Sequence, residues 1–430
     1  MENIFGALCI YTRKKCRKRN TNLKILLSML FAFLISYSIL MIIWSQNIEI
    51  EDSPVNNNFF LILEFTKFFS QEKFCNKKLS DKTLKTYSSS TVFTKVFNDN
   101  SESSELYTKL DQCEYKNCFF TCDKSLIKNS NAILFHDYDL TSKWNSFLIS
   151  YWNIFKQRSF KQLWIYWNDE PNIVDYNLDE FKFNWTISFH SQADISRCAY
   201  GCLKTRNEKE NFLLDIKNEF SKRKNSAIWL VSNCKSSFRL KIALELSNFF
   251  NIKTSGSCSK YFEKSKNYFF SFFHRGFNYF FRNNPCPRES KCEIDYLSSN
   301  KFYLAFESTN CSDYITEKFW RSLSFGLIPI VIQPSKESYE RIAPVDSFIH
   351  AQDFNFDARL LAEYLQKVSN SFDLYLKHTK WRLNYDILYK SNDLENKRIC
   401  DFCKKLNQEY GSSTSYYKSI SSWFNLKCSR

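Results

Sequence analysis

Short apolar runs alternate with amphipathic stretches over most of the chain beyond residue 110. The amphipathic stretches FRLKIALELSNFF and TEKFWRSLSF carry apolar residues three and four positions apart, which is the spacing of a helix with one buried face. Because strands that alternate with helices build parallel sheets, the pattern predicts an α/β fold, and 430 residues are enough for two such domains. The apolar runs, each about one strand long, are NAILFH, KQLWIYW, WTISFH, AIWLVSN, KFYLAFE and LIPIVIQ.

The N-terminal residues have a different pattern. Residues 25–44 form an uncharged apolar run, about the length that crosses the hydrocarbon core of a membrane. The basic cluster RKKCRKR at 13–19 precedes it, and the positive-inside rule keeps such a cluster in the cytosol. The residues after the run offer no convincing signal-peptidase site. We therefore predict a cytoplasmic tail (1–24) and a transmembrane signal-anchor (25–44), with type II topology and a lumenal C-terminal bulk.

Polar and charged stretches divide the remainder of the chain. Residues 45–105 are polar and interrupted except for the apolar patch FFLILEFTKFF, and they predict a stem that is helical in part. A charged run between about 205 and 225 predicts a solvated helix and a linker. The predicted units are accordingly an N-terminal domain at 106–215, a C-terminal domain at 216–385 and a C-terminal tail at 386–430.

Composition indicates the cellular compartment of the protein more clearly than its function. All but two of the 16 cysteines follow the apolar run, which is typical of a lumenal domain with disulfides, and the sequons at Asn184 and Asn310 are candidate N-glycosylation sites. Cys400 and Cys403 lack a second close pair with zinc-finger spacing, which favours disulfides there. The net charge of +15 fits nucleic acid, an acidic membrane surface or an anionic nucleotide sugar, but the anchor and the sequons argue against nucleic acid.

The segment at 301–332 carries the most specific chemistry. Its pattern is strand, loop, helix, strand, with Thr316 as the predicted N-cap and Gly326 as the C-terminal stop of the helix. A helix N-terminus offers unpaired N–H groups to an anion, and a lysine in the first turn opposes the helix dipole unless an anion is nearby. Lys318 occupies that turn. The segment therefore predicts a site for a pyrophosphate group.

At these residues the chain resembles the α1,3/α1,4-fucosyltransferases of glycosyltransferase family 10, whose signature runs F-E-N-S and then D-Y-x-T-E-K. The resemblance extends over about residues 110–405, where further landmarks occur in family order. It implies a GT-B fold, in which two Rossmann-like domains face a cleft, with the acceptor in the N-terminal half and GDP-fucose in the C-terminal half. The further landmarks are NCFFTCDKSLIKNSNAILFHDYDL, WIYWNDEP, FNWTISF with AYG, WLVSNCKSSFR, KTSGSC and SFIHAQDF.

The resemblance also implies roles for individual residues on the donor side. Arg239 and Lys318 would hold the pyrophosphate and stabilise negative charge on the departing GDP, so the leaving oxygen needs no strong general acid. The resemblance also implies that no metal ion or other cofactor is obligatory. Glu317 would contact the fucose, and Tyr314 would line the same pocket. The donor-binding residues that the family pattern indicates are Arg239, Tyr314, Glu317, Lys318, Glu307 and Ser308.

Inverting transfer to a hydroxyl group needs a carboxylate that accepts the hydroxyl proton. The family's proposed base is the glutamate of an E-S-P motif, and this chain reads Asn168-Asp169-Glu170-Pro171 there, one residue short. Counting from the preceding strand aligns Glu170, whereas counting back from Pro171 aligns Asp169. We favour Glu170 as the base and keep Asp169 as the alternative.

Three further positions depart from the family pattern or invite another interpretation. Ser308 stands where the family usually has an amide, and Phe189-His190 replaces a tyrosine-arginine pair, which leaves altered donor affinity or activity open. The DYD segment at 137–139 resembles the DxD metal motif of a different glycosyltransferase fold. It falls, however, on a family landmark that carries no metal, and we predict no metal site there.

The resemblance predicts an inverting fucosyltransferase that moves L-fucose from GDP-fucose in α1,3 linkage to GlcNAc of a glycoprotein or glycolipid glycan at the Golgi membrane. The alternative is a catalytically inactive lumenal relative that binds glycans. The acceptor stays open between Lewis-type, N-glycan core and protein-linked glycans. By family position, Cys400 and Cys403 would be joined to Cys113 and Cys118, in a pairing that the sequence leaves open.

Overall fold

The computed structural model describes residues 59–66, 113–141, 158–195, 198–206, 212–262, 286, 290–389, 391–412, 415–426 and 428–429. The predicted cytoplasmic tail and signal-anchor lie outside the described residues, as does most of the predicted stem. Among the helices within these ranges, none is both long and apolar enough to span a membrane.

Strands and helices alternate along the described chain. The six apolar runs of the sequence all lie in strands, and the two amphipathic stretches lie in helices, so the predicted α/β class is confirmed. The strands are β1 (Phe60–Glu64), β2 (Cys118–Thr121), β3 (Ala132–His136), β4 (Leu163–Asn168), β5 (Trp185–Ser188), β6 (Cys202–Thr205), β7 (Lys224–Leu230), β8 (Ile252–Ser255), β9 (Asn300–Leu304), β10 (Asn310–Cys311), β11 (Ile328–Val331), β12 (Ile349–His350), β13 (Tyr385–Leu388) and β14 (Cys428–Ser429). The α-helices are α1 (Asp137–Thr141), α2 (Phe212–Lys222), α3 (Ser237–Leu246), α4 (Lys291–Ser298), α5 (Glu317–Ser324), α6 (Lys336–Glu340), α7 (Ala358–Asn370), α8 (Phe372–Thr379), α9 (Ser391–Glu409) and α10 (Ile420–Asn425).

Two five-stranded parallel sheets form the framework, and we call the parts built on them the first lobe and the second lobe. The strand order is β2-β1-β3-β4-β5 in the first sheet and β12-β11-β9-β7-β8 in the second. Counted within each lobe, both sheets follow the doubly wound order 2-1-3-4-5. The strands of the first sheet are buried along their whole length, as parallel strands covered on both faces are.

Strand β1 corrects one prediction. It lies within residues 45–105, which the sequence predicts to be a stem, yet it pairs with β2 on one side and β3 on the other. The stem prediction is therefore wrong for residues 60–64. The flanking segments are polar, and the strands that pair with β1 lie far away in sequence, so the local pattern does not indicate a buried strand. Residues 60–64 of the apolar patch are buried within the first lobe.

Helix α5 begins and ends where the sequence predicts. Thr316 is its N-cap, and the chain leaves the helix through Gly326, whose φ of +70° lies in the left-handed region that favours glycine. A Cβ at this position would also lie 2.7 Å from the guanidinium carbon of Arg382. The positive φ therefore favours glycine here, and any larger residue would also displace the end of the Arg382 side chain.

The C-terminal tail returns to the first lobe. Ile399, Phe402 and Leu406 of α9 share a hydrophobic core with Ile62 and Phe120 of the first sheet. Two disulfides join the same helix to the start of that lobe, Cys113–Cys400 and Cys118–Cys403. These are the four cysteines that the family resemblance groups together.

The last residues connect the tail to the second lobe as well. Helix α10 packs Ile420 and Phe424 into the other core of the first lobe. Beyond it, β14 pairs with β10, and Cys428 is bonded to Cys311. The remaining disulfides in the described ranges are Cys198–Cys202, Cys234–Cys258 and Cys286–Cys292.

The two bridges to α9 close nearly the same loop, with sequence separations of 287 and 285 residues. We therefore expect their stabilising effects to be non-additive. Removing either pair by Cys→Ala substitution costs about 2–3 kcal/mol in a chain-entropy model, because the other bridge still closes the long loop, whereas removing both costs about 8 kcal/mol. Urea unfolding followed by tryptophan fluorescence measures the three losses, and strictly additive values would contradict the expectation.

Candidate active site

Several predicted donor residues meet at the carboxyl ends of β7 and β9. Arg239 lies on α3, which follows β7, and Glu307 lies in the loop after β9. That loop leads into α5, whose first turn carries Lys318. In a sheet of order 2-1-3-4-5, ligands bind at the topological switch point, which in this lobe falls between β7 and β9.

A fully buried carboxylate joins this loop to α5. Glu307 Oε1 accepts the backbone N–H of Thr316 at 2.8 Å, and Oε2 accepts from the Lys318 ammonium at 3.0 Å. The Thr316 hydroxyl lies 2.8 and 2.9 Å from the two carboxylate oxygens. Burial raises the pKa of Glu307, and Lys318 opposes that shift. The Thr316 side chain therefore holds Glu307 instead of capping its own helix.

Lys318 stays cationic in this environment. Burial by itself lowers its pKa, but the nearby carboxylates of Glu307 and Glu317 outweigh burial, and the net pKa is raised. Its Nζ lies 3.8 Å from Glu317 and donates to Thr316 Oγ1 at 2.7 Å. Because 22% of the side chain remains exposed, an anion from solvent can still reach the ammonium group.

Arg239 supports the loop from the sheet side. Nη1 donates to the carbonyl of Phe306 at 3.2 Å, and Nη2 donates to the carbonyl of Asn233. The Nε–H is buried and lacks a hydrogen-bond partner among the described residues. Burial lowers the pKa of Arg239, whereas Glu307 opposes the shift. The guanidinium thus fixes the backbone on both sides of the switch point.

Glu170, at the carboxyl end of β4, faces the second lobe. Tyr314 Oη, from the loop between β9 and α5, donates to Glu170 Oε2 at 3.0 Å. Tyr200 Oη lies 3.3 Å from Oε1. Burial raises the pKa of Glu170; the two tyrosines lower it in part, whereas Asp169 and Glu317 raise it further. The bond to Tyr314 joins Glu170, the favoured base in the first lobe, to the loop between β9 and α5 of the second lobe, which we call the donor loop.

Asp169 has a different environment from its neighbour. Arg398 of α9 binds it in bidentate fashion, with Nη1 2.5 Å from Oδ2 and Nη2 2.8 Å from Oδ1. The indole Nε1 of Trp167 donates to Oδ2 at 2.7 Å. A bidentate guanidinium pair occupies both carboxylate oxygens and fixes their orientation. The two candidate bases therefore have different environments. Asp169 is engaged in an ion pair, whereas Glu170 lies at the contact between the lobes.

A second contact joins the lobes beside Tyr314. Ser191 of the first lobe donates its N–H and hydroxyl to Asp313 Oδ2, at 3.0 and 2.7 Å, and Arg341 pairs with Oδ1. Burial tends to raise the pKa of Asp313, but Ser191 and Arg341 outweigh it and the pKa is lowered. With φ of +66°, Asp313 adopts the left-handed conformation that aspartate tolerates better than most residues.

The departures from the family pattern have structural consequences. Phe189 packs edge-on against the ring of Tyr314, with 5.0 Å between the ring centres, and His190 lies 4.9 Å from Phe424 of α10. Aromatic packing therefore replaces the family's polar pair beneath the site. Ser308 is half-buried in the loop after Glu307.

The two sequons differ in their surroundings. The Asn184 amide accepts from the Trp164 N–H at 2.9 Å and from Arg158 at 2.7 Å, and it donates to the carbonyl of Ser415 at 3.0 Å. This side chain is built into the first lobe. Asn310 is exposed on β10.

The DYD segment at 137–139 is used within the fold. Asp137 is buried and accepts from the Tyr166 hydroxyl at 2.6 Å. Burial raises the pKa of Asp137 to about 6. In the part of the chain that the structure describes, no group of three or more His, Cys, Asp or Glu residues is placed to hold a metal ion.

Comparisons with known proteins identify the family. The family profile "Glycosyltransferase family 10 (fucosyltransferase) C-term" matches residues 220–423, and the profile "Fucosyltransferase, N-terminal" matches residues 61–201. Human 4-galactosyl-N-acetylglucosaminide 3-alpha-L-fucosyltransferase 9 is 31% identical over 300 residues, which cover 69% of this chain and 72% of that protein. The chain belongs to glycosyltransferase family 10.

Another relative and a solved structure complete the comparison. Human 3-galactosyl-N-acetylglucosaminide 4-alpha-L-fucosyltransferase FUT3 is 30% identical over 312 residues, 71% of this chain and 75% of that protein. A crystal structure of an alpha1,3-fucosyltransferase aligns over 84% of this chain and 93% of its own, with a TM-score of 0.44 and 15% identity. Membership of family 10 confirms the expectation of a fucosyltransferase.

Sequence reasoning missed three residues of this family 10 site. Tyr200 lies in the AYG landmark and Asp313 lies within the D-Y-x-T-E-K signature, so both positions carried a signal that was not used. Arg398 carried none, because it meets Asp169 across 229 residues of sequence. Only the return of the C-terminal tail to the first lobe brings these two residues together.

Replacing Tyr314 tests the environment of Glu170. Tyr314→Phe removes a hydrogen bond that favours the carboxylate, so the pKa of Glu170, already raised by burial, rises further. If Glu170 acts as a base it is needed ionised, and the acid limb of the kcat–pH profile moves to higher pH. Tyr200→Phe is the comparison variant: the Tyr200 hydroxyl donates mainly to the carbonyl of Asp169 and lies 3.3 Å from Glu170 Oε1, so we expect a smaller shift in the same direction. An unmoved or lowered acid limb in Tyr314→Phe would contradict this assignment.

Proposed function

We propose that this family 10 enzyme transfers L-fucose from GDP-fucose, with inversion and in α1,3 linkage, to GlcNAc of a glycoprotein or glycolipid glycan. The relatives reported above are named as 3-alpha- and 4-alpha-L-fucosyltransferases acting on galactosyl-N-acetylglucosaminides. The observation that carries the proposal is the bond between Tyr314 and Glu170. It brings a carboxylate of raised pKa to the loop that leads to Lys318.

The donor side stabilises the leaving group. Lys318 supplies a partly exposed ammonium at the start of α5, where the helix dipole also favours an anion. Arg239 lies beneath the same loop and adds positive charge with an N–H that the described residues do not use. Preorganised positive charge of this kind stabilises the diphosphate as the bond to the anomeric carbon breaks.

The acceptor side removes a proton. An acceptor hydroxyl becomes a better nucleophile when a carboxylate takes its proton in the transition state, and a carboxylate of raised pKa does this more effectively. Glu170 has that property, whereas Arg398 occupies both oxygens of Asp169. We therefore assign the base to Glu170. With this assignment the acceptor would bind on the first-lobe side of the Tyr314–Glu170 contact and GDP-fucose on the second-lobe side.

A GDP-fucose transfer assay with three variants tests this function. Glu170→Gln loses about 10²- to 10⁴-fold in kcat, because the general base is gone. Asp169→Asn loses much less, although it is destabilised. Lys318→Ala loses transfer together with affinity for GDP, measured by calorimetry.

Two outcomes would overturn the assignment. Wild-type protein that transfers no fucose to N-glycan or N-acetyllactosamine acceptors, and behaves as Lys318→Ala does, would point to a glycan-binding relative without turnover. A larger loss in Asp169→Asn than in Glu170→Gln would move the base to Asp169.

We further propose a single-pass type II protein of the Golgi membrane with its catalytic lobes in the lumen. Support comes from the uncharged run at 25–44, the basic cluster at 13–19 and the disulfides of the described lobes, which persist in oxidising compartments.

The environments of the two sequons make this location testable. Asn310→Gln abolishes one N-glycan, seen as the loss of a mobility shift after endoglycosidase treatment of protein expressed in secretory cells. Asn184→Gln leaves the glycan count unchanged but lowers the thermal midpoint, because the hydrogen bonds of Asn184 to Trp164 and Ser415 are disturbed. A glycan on Asn184 and none on Asn310 would contradict this prediction.

A further inference from the structure

Arg398 is a buried cation that forms an ion pair with Asp169 of the first lobe. It lies on α9, its residue is 5% exposed, and it contacts Asp169 through two nitrogen–oxygen pairs. Its guanidinium carbon also lies 5.3 Å from the centre of the Trp167 ring. A guanidinium held by a carboxylate and an aromatic face has a fixed orientation. Arg398 therefore fixes the end of β4 immediately before Glu170.

The helix that carries Arg398 is held to the first lobe at many points. Cys400 and Cys403, two and five residues further on, are bonded to Cys113 and Cys118. Asn407 exchanges side-chain hydrogen bonds of 2.9 Å with Asn117. The disulfides leave α9 little freedom to withdraw Arg398 from Asp169.

We propose that Arg398 is a positioning residue for the base Glu170, acting through Asp169, and that the bridged helix α9 holds it in register. The inference rests on the proposed fucosyl transfer with Glu170 as base. Two effects are expected to be separable. The bidentate geometry aligns the backbone of residues 169–170, and the positive charge screens Glu170 from the negative charge of Asp169.

The charged and titratable groups around Glu170 determine the sign of the second effect. Tyr314 comes from the donor loop, Tyr200 from the segment before β6, Glu317 from α5 and Asp169 from the end of β4. Asp169 raises the pKa of Glu170, and Arg398 offsets part of that charge. Removing Arg398 therefore raises the pKa of Glu170, whereas neutralising Asp169 lowers it. The acid limbs of the two variants should move in opposite directions.

The experiment measures kcat, KM for GDP-fucose and the kcat–pH profile on the full chain with intact disulfides. Arg398→Met is expected to lower kcat on the order of 10- to 100-fold, as misplaced catalytic groups do, with its acid limb at higher pH than that of the wild type. Asp169→Asn is expected to move the acid limb to lower pH. KM for GDP-fucose stays within about twofold in both variants, since the donor residues lie in the other lobe.

Two further variants separate geometry from charge and from general damage. Arg398→Lys keeps the buried charge but loses the bidentate fork, so kcat falls while the acid limb stays in place. This variant also answers the question if Arg398→Met does not fold. Lys397→Met is the matched control: Lys397 is the preceding residue of α9 and pairs with Asp401 at 2.6 Å. Its kcat and its acid limb should equal those of the wild type.

The outcomes decide between positioning and a merely structural role. Acid limbs that move in opposite directions in Arg398→Met and Asp169→Asn support the inference. Acid limbs that stay in place or move together, with losses in kcat that follow only the thermal midpoint, overturn the inference. The proposed function is unaffected by that result as long as the wild type transfers fucose. If Arg398→Met does not fold, an unchanged kcat in Arg398→Lys overturns the inference. Wild-type protein that transfers no fucose overturns both.

Discussion

Burying a carboxylate costs free energy unless hydrogen bonds and an opposite charge replace its water, and the active site of this protein is built around one such carboxylate, Glu307. Its partners are the N–H and hydroxyl of Thr316 and the ammonium of Lys318. These bonds fix the loop between β9 and α5 at both ends. Tyr314 lies in that loop, so the same bonds determine where its hydroxyl meets the other lobe.

Two adjacent carboxylates then acquire different chemistry from their surroundings. Burial raises the pKa of Glu170, and Asp169 and Glu317 raise it further, whereas the hydroxyls of Tyr314 and Tyr200 offset part of the shift. Asp169 receives hydrogen bonds from a guanidinium and an indole N–H, which occupy both of its oxygens. Proteins commonly separate acid–base roles in this way, by giving neighbouring carboxyl groups unlike environments. The shortened motif in this chain thus still provides one carboxylate of raised pKa and one that is held in an ion pair.

Local patterns were enough to predict much of this fold. The strand runs, the ends of α5 and the family of the protein all follow from residues close together in sequence. The predictions that failed or were incomplete depend on contacts between distant residues. β1 was assigned to a stem because its partners, β2 and β3, lie more than 50 residues away. The choice between Glu170 and Asp169 stayed open in sequence because Arg398, which separates them, arrives from the tail.

The two lobes are connected in a way that restricts how the cleft between them can move. The chain leaves the first lobe after β6 and returns through β13, and these strands pair side by side. Both crossings between the lobes therefore lie side by side. At the active site, however, α10 packs on the first lobe while Cys428, just beyond it, is bonded to Cys311 in the donor loop.

That loop is therefore connected to the first lobe by covalent, aromatic and polar contacts. Cys311, Tyr314 and Asp313 lie within four residues of one another, and each contacts the first lobe or the tail packed on it. Domains joined by small polar interfaces normally move relative to each other. Here the C-terminal tail limits that motion at the point where Glu170 meets the loop between β9 and α5.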